Sequence, residues 1–473
     1  MLSDQEIVCR FLDANHQVHP EVVRYLREHG TQSIIDQIVS GLPANCLVVA
    51  PQHIPGWKTE RDGARFLADP DLDVLAGKAV SGIEKADFND FYFYFRDRYN
   101  QLGALMRPRV NPLPIEALAR NVRYRDQECG ITGMVVEVRS TAKGHRMAEL
   151  EDPTGTINVL FNKDRDVFAE AEKIVPDEVI GVKGKLSSDG SLFFADTLVR
   201  PDIPIQHAPF TSETPGTAVL ISDVHVGSDT FMEDEWLRFS DWLDDARPQY
   251  LLIAGDLVDG IGIYPGQDQE LTITSIDEQY DVFASMLRDL PASCRIVVSP
   301  GNHDAVRGSE PQPALPARFC EKFPSNVTLV ENPSLVSLQG VHVAMYHGRS
   351  YDDLISLIPG ASYTRPEEMM VEMLKHRHLA ATYGMRTPIK PAKQDRLVID
   401  PIPELLHTGH VHICGMTRYR GVLGVNAGAW QAQTQFQKQM NIQPTPARAA
   451  VVDLQTLEAR FYDFNEPGAP RPI

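Results

Sequence analysis

TAVLISDVHVG at 217–227, YLLIAGDLVDG at 250–260 and RIVVSPGNHD at 295–304 decide the fold. Each is a short aliphatic run of the kind found in strands buried on both faces. Each ends on a turn that carries glycine together with acids, imidazoles or an amide. VHVAMYHGRS (341–350) and ELLHTGHVHICG (404–415) repeat the design. Helix-length stretches separate these runs, so residues 217–473 read as one α/β domain. Sheets of that kind hold ligands just beyond the carboxyl ends of their strands. The pattern therefore delivers Asp223, His225, Asp256, Asn302, His303, Asp304, His347, His410 and His412 to one edge of the sheet.

Those residue types suit a pair of divalent cations. Two such ions held close together repel, so a shared carboxylate must stand between them and a mixed Asp/His/Asn set must complete both shells. Imidazole donors favour manganese, iron or zinc, whereas an all-oxygen site would suit magnesium better. Manganese is the first expectation for the two metal ions. A lone D-x-H or GNHD is weak, because any loop can carry one, and His225 by itself would read as a satisfied structural histidine. Five such segments, in order and all at strand ends, are specific.

The pattern D-x-H, G-D, G-N-H-D, H and G-H-x-H resembles that of the calcineurin-like metallophosphoesterases and is complete here. The resemblance implies a four-layer αββα phosphoesterase domain. It assigns Asp223, His225, Asp256 and His412 to one metal, and Asp256, Asn302, His347 and His410 to the other. It keeps His303 off the metals as the catalytic residue facing the phosphate, with Asp304 placed to orient it.

Upstream, residues 119–203 are rich in strand patterns: ITGMVVEVRST, HRMAELED, TINVLF, VIGVKGKL and SLFFADTLV, with a turn at Asp152–Gly155. A helical pattern, DRDVFAEAEKI, falls between the third and fourth, which is the order of an OB-fold β-barrel. Prolines punctuate a linker at 204–216. Residues 87–118 hold a helix leading into the barrel, with Phe88, Phe91, Tyr92, Phe95, Tyr99 and Leu102 at helical spacing, a stripe expected in a core. Residues 42–86 read as a linker. Residues 1–41 read as a small helical module, opened by the capping pair Ser3 and Glu6, with later limits at Pro20, Gly30 and Gly41.

At 473 residues the chain exceeds one core, since domains usually hold roughly 100–200 residues. No stretch is apolar enough to span a membrane, and no export signal opens the chain, so a cytoplasmic, nucleoid-associated protein is expected. The six cysteines are scattered singly, which argues against a zinc knuckle or a disulfide framework. The net charge of −19 disfavours a free-standing tight binder of duplex DNA, yet bound cations or a basic partner could hold an anionic substrate.

An OB-like domain placed before a phosphoesterase domain resembles the B-subunit lineage of replicative DNA polymerases. Two insertions, DGIGIYPGQDQELTITSIDEQY at 259–280 and PEEMMVEMLKHRHLAATYG with TPIKP at 366–391, are similar to those of the small-subunit family of archaeal family-D polymerases. That resemblance implies a two-metal 3′→5′ exonuclease that proofreads, in a heterodimer with a large polymerizing subunit. Its substrate would be DNA with single-stranded or mismatched 3′ ends. Eukaryotic members of the lineage lack metal ligands and act as scaffolds. A non-catalytic scaffold and a phosphoesterase for another substrate are therefore the alternatives, and the complete ligand set with His303 favours the exonuclease. Arg349, Arg377, His376 and His378 flank the site as phosphate contacts on one view and as packing or surface residues on the preferred one. TQFQKQMNIQPTPARAAVVDL (434–454) reads as a docking surface or a sheet edge.

Overall fold

The computed structural model describes residues 4–14, 16–18, 22, 23, 26, 27, 35, 38, 48, 49, 70–78, 87–120, 124, 127–439 and 441–473. Its backbone divides into two units, Met1–Asp69 and Pro70–Ile473. In the first, the helix Asp4–Asp13 is followed by β1 (Gln17–Val18), which pairs in parallel with β2 (Val48–Val49). Ile7, Phe11, Val22, Val23, Leu26, Ile35, Ile38 and Val49 form its core. Ser3, Pro20, Gly30 and Gly41, on which the expected helix limits rest, lie outside the described residues, as does most of 42–86.

The second unit opens on β3 (Leu72–Lys78), which pairs with a strand of the main sheet. This part of the expected linker is a strand. Its hydrogen-bonding partner lies some 250 residues downstream, at Val330–Leu338, where no local pattern could announce it.

The barrel follows: β4 (Glu128–Ser140), β5 (Arg146–Asp152), β6 (Gly155–Phe161), β7 (Val179–Leu186) and β8 (Leu192–Val199) close in the order β4-β5-β6-β8-β7. Asp152 Oδ1 accepts from the amides of Thr154 and Gly155 and sets the β5–β6 turn. Inward residues Ile131, Val135, Leu150, Val159, Phe161, Ile180, Val182 and Phe193 fill the barrel. The expected intervening helix is there but shorter, Phe168–Ala171.

Among the described residues one 12-stranded sheet makes the rest, and its two halves, treated as two sheets, are joined through β12. β9 (Thr217–Ile221), β10 (Tyr250–Ala254) and β11 (Arg295–Ser299) run parallel to the start of β12 (Val327–Leu338), whose far half pairs antiparallel with β13 (Val341–Met345). β13 and β14 (Leu405–Thr408) are parallel, and β15 (Gly415–Tyr419) and β16 (Val422–Asn426) complete that sheet. β17 (Arg448–Asp453), β18 (Ala459–Asp463) and β19 (Arg471–Pro472) extend the other sheet beyond β9. β17 lies between β9 and β18, so Arg448–Asp453 of the stretch 434–454 is an interior strand rather than a sheet edge.

Alternation along each strand separates three apolar layers. Ala218, Leu220, Tyr250, Leu252 and Val297 meet Val336, Val343, Met345, Leu405 and Leu423 between the sheets. Val219, Ile221, Leu251, Ile253 and Ile296 turn outward to the helices Glu233–Ala246 and Ile276–Arg288. Ala344, Leu406 and Val422 face Met369, Met370 and Met373 of the helix Pro366–His376 on the other side. Helix, sheet, sheet, helix is the four-layer arrangement expected.

Charged side chains hold the barrel to this domain. The helix Phe88–Val110 buries Tyr94, Arg98, Leu102, Met106 and Val110, while Phe88 and Tyr92 of the expected core stripe are exposed. The buried face is centred on Arg98, a residue that apolar periodicity does not weigh. Arg98 Nε bonds Asp395 at 2.7 Å, its Nη2 donates to Tyr94 at 3.1 Å, and its Nη1 donates to the Ala381 carbonyl. His378 Nε2 lies 2.8 Å from the same Asp395 carboxylate. A second cluster joins Arg200 and Glu178 of the barrel, 3.2 Å apart, to His376, and Lys173 to Glu372 at 3.2 Å. The insertion at 366–391 thus forms much of the seam between the two domains.

Candidate metal centre

All eight candidate site residues come together beyond the strand ends. The turn after β9 carries Asp223 and His225, and the turn after β10 carries Asp256. The turn after β11 carries Asn302 and His303, the one after β13 carries His347, and the one after β14 carries His410 and His412. Asp223, His225, Asp256, His410 and His412 all adopt left-handed backbone, with φ of 52°, 55°, 50°, 73° and 58°. Non-glycine residues pay for that conformation, and the surrounding structure must enforce it. Glycine is required where backbone meets carboxylate: a Cβ on Gly409 would sit 2.5 Å from Asp223 Oδ2, and one on Gly301 would run into Asp256 Oδ1.

Three groups of donor atoms converge: Asp223–His225–His412, His225–Asp256–His303 and Asp256–His347–His410. In the first, His225 Nε2 faces His412 Nε2 at 3.1 Å, and His412 Nε2 lies 3.5 Å from Asp223 Oδ1. In the last, His347 Nε2 lies 3.2 Å from Asp256 Oδ2 and 3.0 Å from Asn302 Oδ1. Metal–nitrogen bonds of about 2.1 Å, at angles between octahedral and tetrahedral, put neighbouring donors roughly 3.0–3.4 Å apart. The donor spacing fits that requirement. Asp256 Oδ2 also lies 3.9 Å from His225 Nε2, so one carboxylate stands between both groups.

Proton positions fit as well. The Ala254 carbonyl can only accept, so the His347 Nδ1–H donates to it at 2.9 Å. His347 Nε2 therefore faces two oxygen acceptors, and either a proton on it or a bound cation supplies the positive charge that they call for. Burial alone would push the His347 pKa down, yet the charge and hydrogen bond of Asp256, with Asp223, raise it to about 10. Asp256 is held well below the usual carboxylate range against its burial, chiefly by His347 and His303. The pocket is built for a cation.

Asp259 was not singled out in the sequence and is the hub of the support. Its Oδ1 lies 3.0 Å from His225 Nδ1 and 3.1 Å from Gln431 Nε2, and its Oδ2 accepts from Gln267 at 2.8 Å. Its carbonyl accepts from His303 Nδ1 at 2.7 Å, which directs Nε2 of the half-buried His303 away from that anchor. The orientation expected from Asp304 is thus supplied by the Asp259 carbonyl. Asp304 itself is buried and accepts from the Gly301 amide at 2.8 Å and from Tyr280 at 2.9 Å, ordering the loop. Burial and the charge of Asp256 push it up to about 7. Asp352, 3.5 Å from His410 Nε2, and Gln437, 3.0 Å from His412 Nδ1, are further supports. The acid in DLVDG is a signal that the sequence offered; those from Asp352 and Gln437 arise only in the folded chain.

His376, Arg377 and His378 do not reach the site. His376 and His378 are buried in the barrel seam, and Arg377 bonds the Ile399 carbonyl at 2.7 Å. Arg349 alone of those candidates stays beside it, with Nη1 donating to the Gly308 carbonyl at 2.8 Å.

Residues 218–412 match the family model for the B-subunits of DNA polymerases alpha and epsilon, and residues 130–194 match an OB-fold nucleic acid binding domain. The DNA polymerase II small subunit of Halobacterium salinarum is 45% identical over 425 residues, covering 88% of this chain and 81% of that one. Its counterpart in Archaeoglobus fulgidus is 42% identical over 428 residues, with 86% and 85% covered. That of Methanothermobacter thermautotrophicus is 38% identical over 469 residues, with 94% and 93% covered. With matches at 38–45% identity that cover 86–94% of this chain, the chain belongs to the family of archaeal DNA polymerase II small subunits.

Proposed function

We propose that the chain is a two-metal 3′→5′ exonuclease that removes nucleoside 5′-monophosphates from DNA ends for a polymerase. The observation that carries this reading is Asp256, whose Oδ2 lies 3.2 Å from His347 Nε2 and 3.9 Å from His225 Nε2, between the two donor groups. Asp223, His225, Asp256 and His412 would hold one cation, and Asp256, Asn302, His347 and His410 the other, with manganese preferred for the imidazole-rich set. When bound, the ions supply Lewis-acid polarisation of the phosphoryl group and activation of the attacking water. The chain's own residues do the rest. Asp259 and Ala254 fix the tautomers of His225 and His347, and His303 Nε2, directed by the bond at Nδ1, meets the phosphate and the leaving oxygen. The test uses oligonucleotides labelled at the 3′ or the 5′ end, with the purified chain, in manganese and after chelation. Manganese-dependent release of labelled mononucleotide from the 3′ end supports the reading. No cleavage, alone or with the large subunit, would leave the scaffold alternative.

The family name implies a large subunit as partner, and we assign its docking to the barrel and phosphoesterase domains. Because β3 is part of the main sheet, the informative truncation ends at Asp69. A chain lacking residues 1–69 is expected to co-purify with the large subunit as the full chain does. Loss of co-purification would make the first unit the dock instead.

A further inference from the structure

Among the described residues, Arg349 is a cation with no hydrogen-bonded acid. It lies two residues beyond His347, on the turn after β13, and is half-buried. Its one recorded bond, Nη1 to the Gly308 carbonyl at 2.8 Å, crosses to the loop that carries Asn302 and His303. Among the described residues no ion pair includes it. Glu310, which feels its charge, is itself buried and accepts from Tyr346 at 2.9 Å. The guanidinium is thus pinned through a neutral acceptor, with its other N–H groups and its full charge uncommitted. The neighbouring metal centre holds the buried carboxylates Asp223, Asp256 and Asp259, in a chain whose net charge is −19. A nucleic-acid strand entering such a pocket brings phosphates beyond the one that reacts, and those meet repulsion unless a cation receives them. Gly308 is six residues past Asn302, so the bond ties the guanidinium to the loop that continues from the donor groups.

Resting on the exonuclease reading, we propose that Arg349 grips the phosphodiester adjacent to the scissile one and so selects strands over single-diester substrates. Guanidinium suits this task, since its fork pairs with two phosphate oxygens while one N–H stays on Gly308.

The test compares full-length wild type, Arg349→Gln and Arg349→Lys. Glutamine keeps a donor for the Gly308 carbonyl and removes the charge. Affinity for a single-stranded oligonucleotide with phosphorothioate 3′ linkages is measured in manganese over a range of salt. The slope of log affinity against log salt is expected to become shallower by about 0.7 in Arg349→Gln, the share of one phosphate on a single strand, and to stay at the wild-type value in Arg349→Lys. KM for the ordinary oligonucleotide should rise about 10-fold or more in Arg349→Gln, whereas hydrolysis of thymidine 5′-(p-nitrophenyl phosphate), which has one diester, should be unchanged. An unaltered slope, or equal losses on both substrates, would overturn the proposal. If wild type cleaves neither substrate the exonuclease reading fails, and the salt slope still decides Arg349. Should Arg349→Gln not fold, a wild-type slope in Arg349→Lys with Arg349→Met shallower supports the assignment, and three equal slopes refute it.

Discussion

His303→Ala is expected to lower phosphodiester cleavage by about 10²–10⁴ while the chain still binds two manganese ions, and Asp256→Ala is expected to lose both cleavage and metal. The two residues are covalently remote yet touch, since the His303 amide donates to Asp256 Oδ1 at 2.8 Å. Their side chains nevertheless do different things. Asp256 Oδ2 faces His347 on one side and His225 on the other, so its removal takes the shared donor from both groups. His303 is anchored through Nδ1 to a backbone carbonyl, and on the exonuclease reading its Nε2 is the atom that meets substrate. Positioned acid–base and charge-stabilising groups act on the transition state, so the loss should fall on single-turnover rate rather than on metal content. Elemental analysis beside single-turnover cleavage separates the two. His303→Ala that arrives without its metals, or that cleaves at the wild-type rate, would sink the role assigned to this histidine.

Arg98→Met is expected to destabilise the larger unit by roughly 3–5 kcal/mol at pH 8, because Asp395 then keeps its charge in a buried seam without its main cation. The pH dependence has a definite sign. Burial, and next the charge of Arg98, push the pKa of His378 down to about 4, below that of an unfolded histidine. In the wild type, protonating His378 therefore costs stability as pH falls from the unfolded value toward that depressed one. Without Arg98 the histidine can protonate beside Asp395, 2.8 Å away, and replace part of the missing charge. The deficit of the variant should accordingly shrink between pH 8 and pH 5. Denaturant unfolding at both values measures it, and a deficit below about 1 kcal/mol at pH 8, or one that grows on acidification, would contradict this account of the seam. Arg98→Met combined with Asp395→Leu should recover much of the loss, since a well-packed apolar pair can replace a buried ion pair.

The site was more legible than its surroundings for a physical reason. Asp223, Asp256, His303, His347 and His410 each follow directly on an apolar strand, so local pattern and tertiary position coincide. The four layers follow from the same strands, whose alternate residues feed different cores. Legibility failed where a partner is remote in sequence. Leu72–Lys78 is a strand only because β12 is there to receive it. His376 and His378, polar and close in sequence to the site region, are drawn into the seam by Glu178 and by Asp395 with Arg98. On the helix Phe88–Val110 the expected stripe fails at its start, where Phe88 and Tyr92 are exposed, because the buried face passes through Tyr94 and Arg98 instead. Asp304, next to His303 in sequence, bonds elsewhere, whereas Asp259, which holds His303, lies 44 positions away.

The five left-handed positions make this chain's chemistry easy to lose and hard to regain. Asp223, His225, Asp256, His410 and His412 each occupy backbone that glycine would adopt without strain. If the need to cleave were ever lifted, a glycine at one of these sites would release about 1 kcal/mol or more of strain, against the extra freedom it gives the unfolded chain. It would also remove a buried charge or imidazole from a crowded pocket. Drift in a lineage freed from catalysis would thus run downhill, toward a sturdier protein with an emptied pocket. The reverse path would require five separate returns to strained backbone, each unrewarded until the set was complete. On the exonuclease reading, keeping all five is what continued selection for cleavage would require.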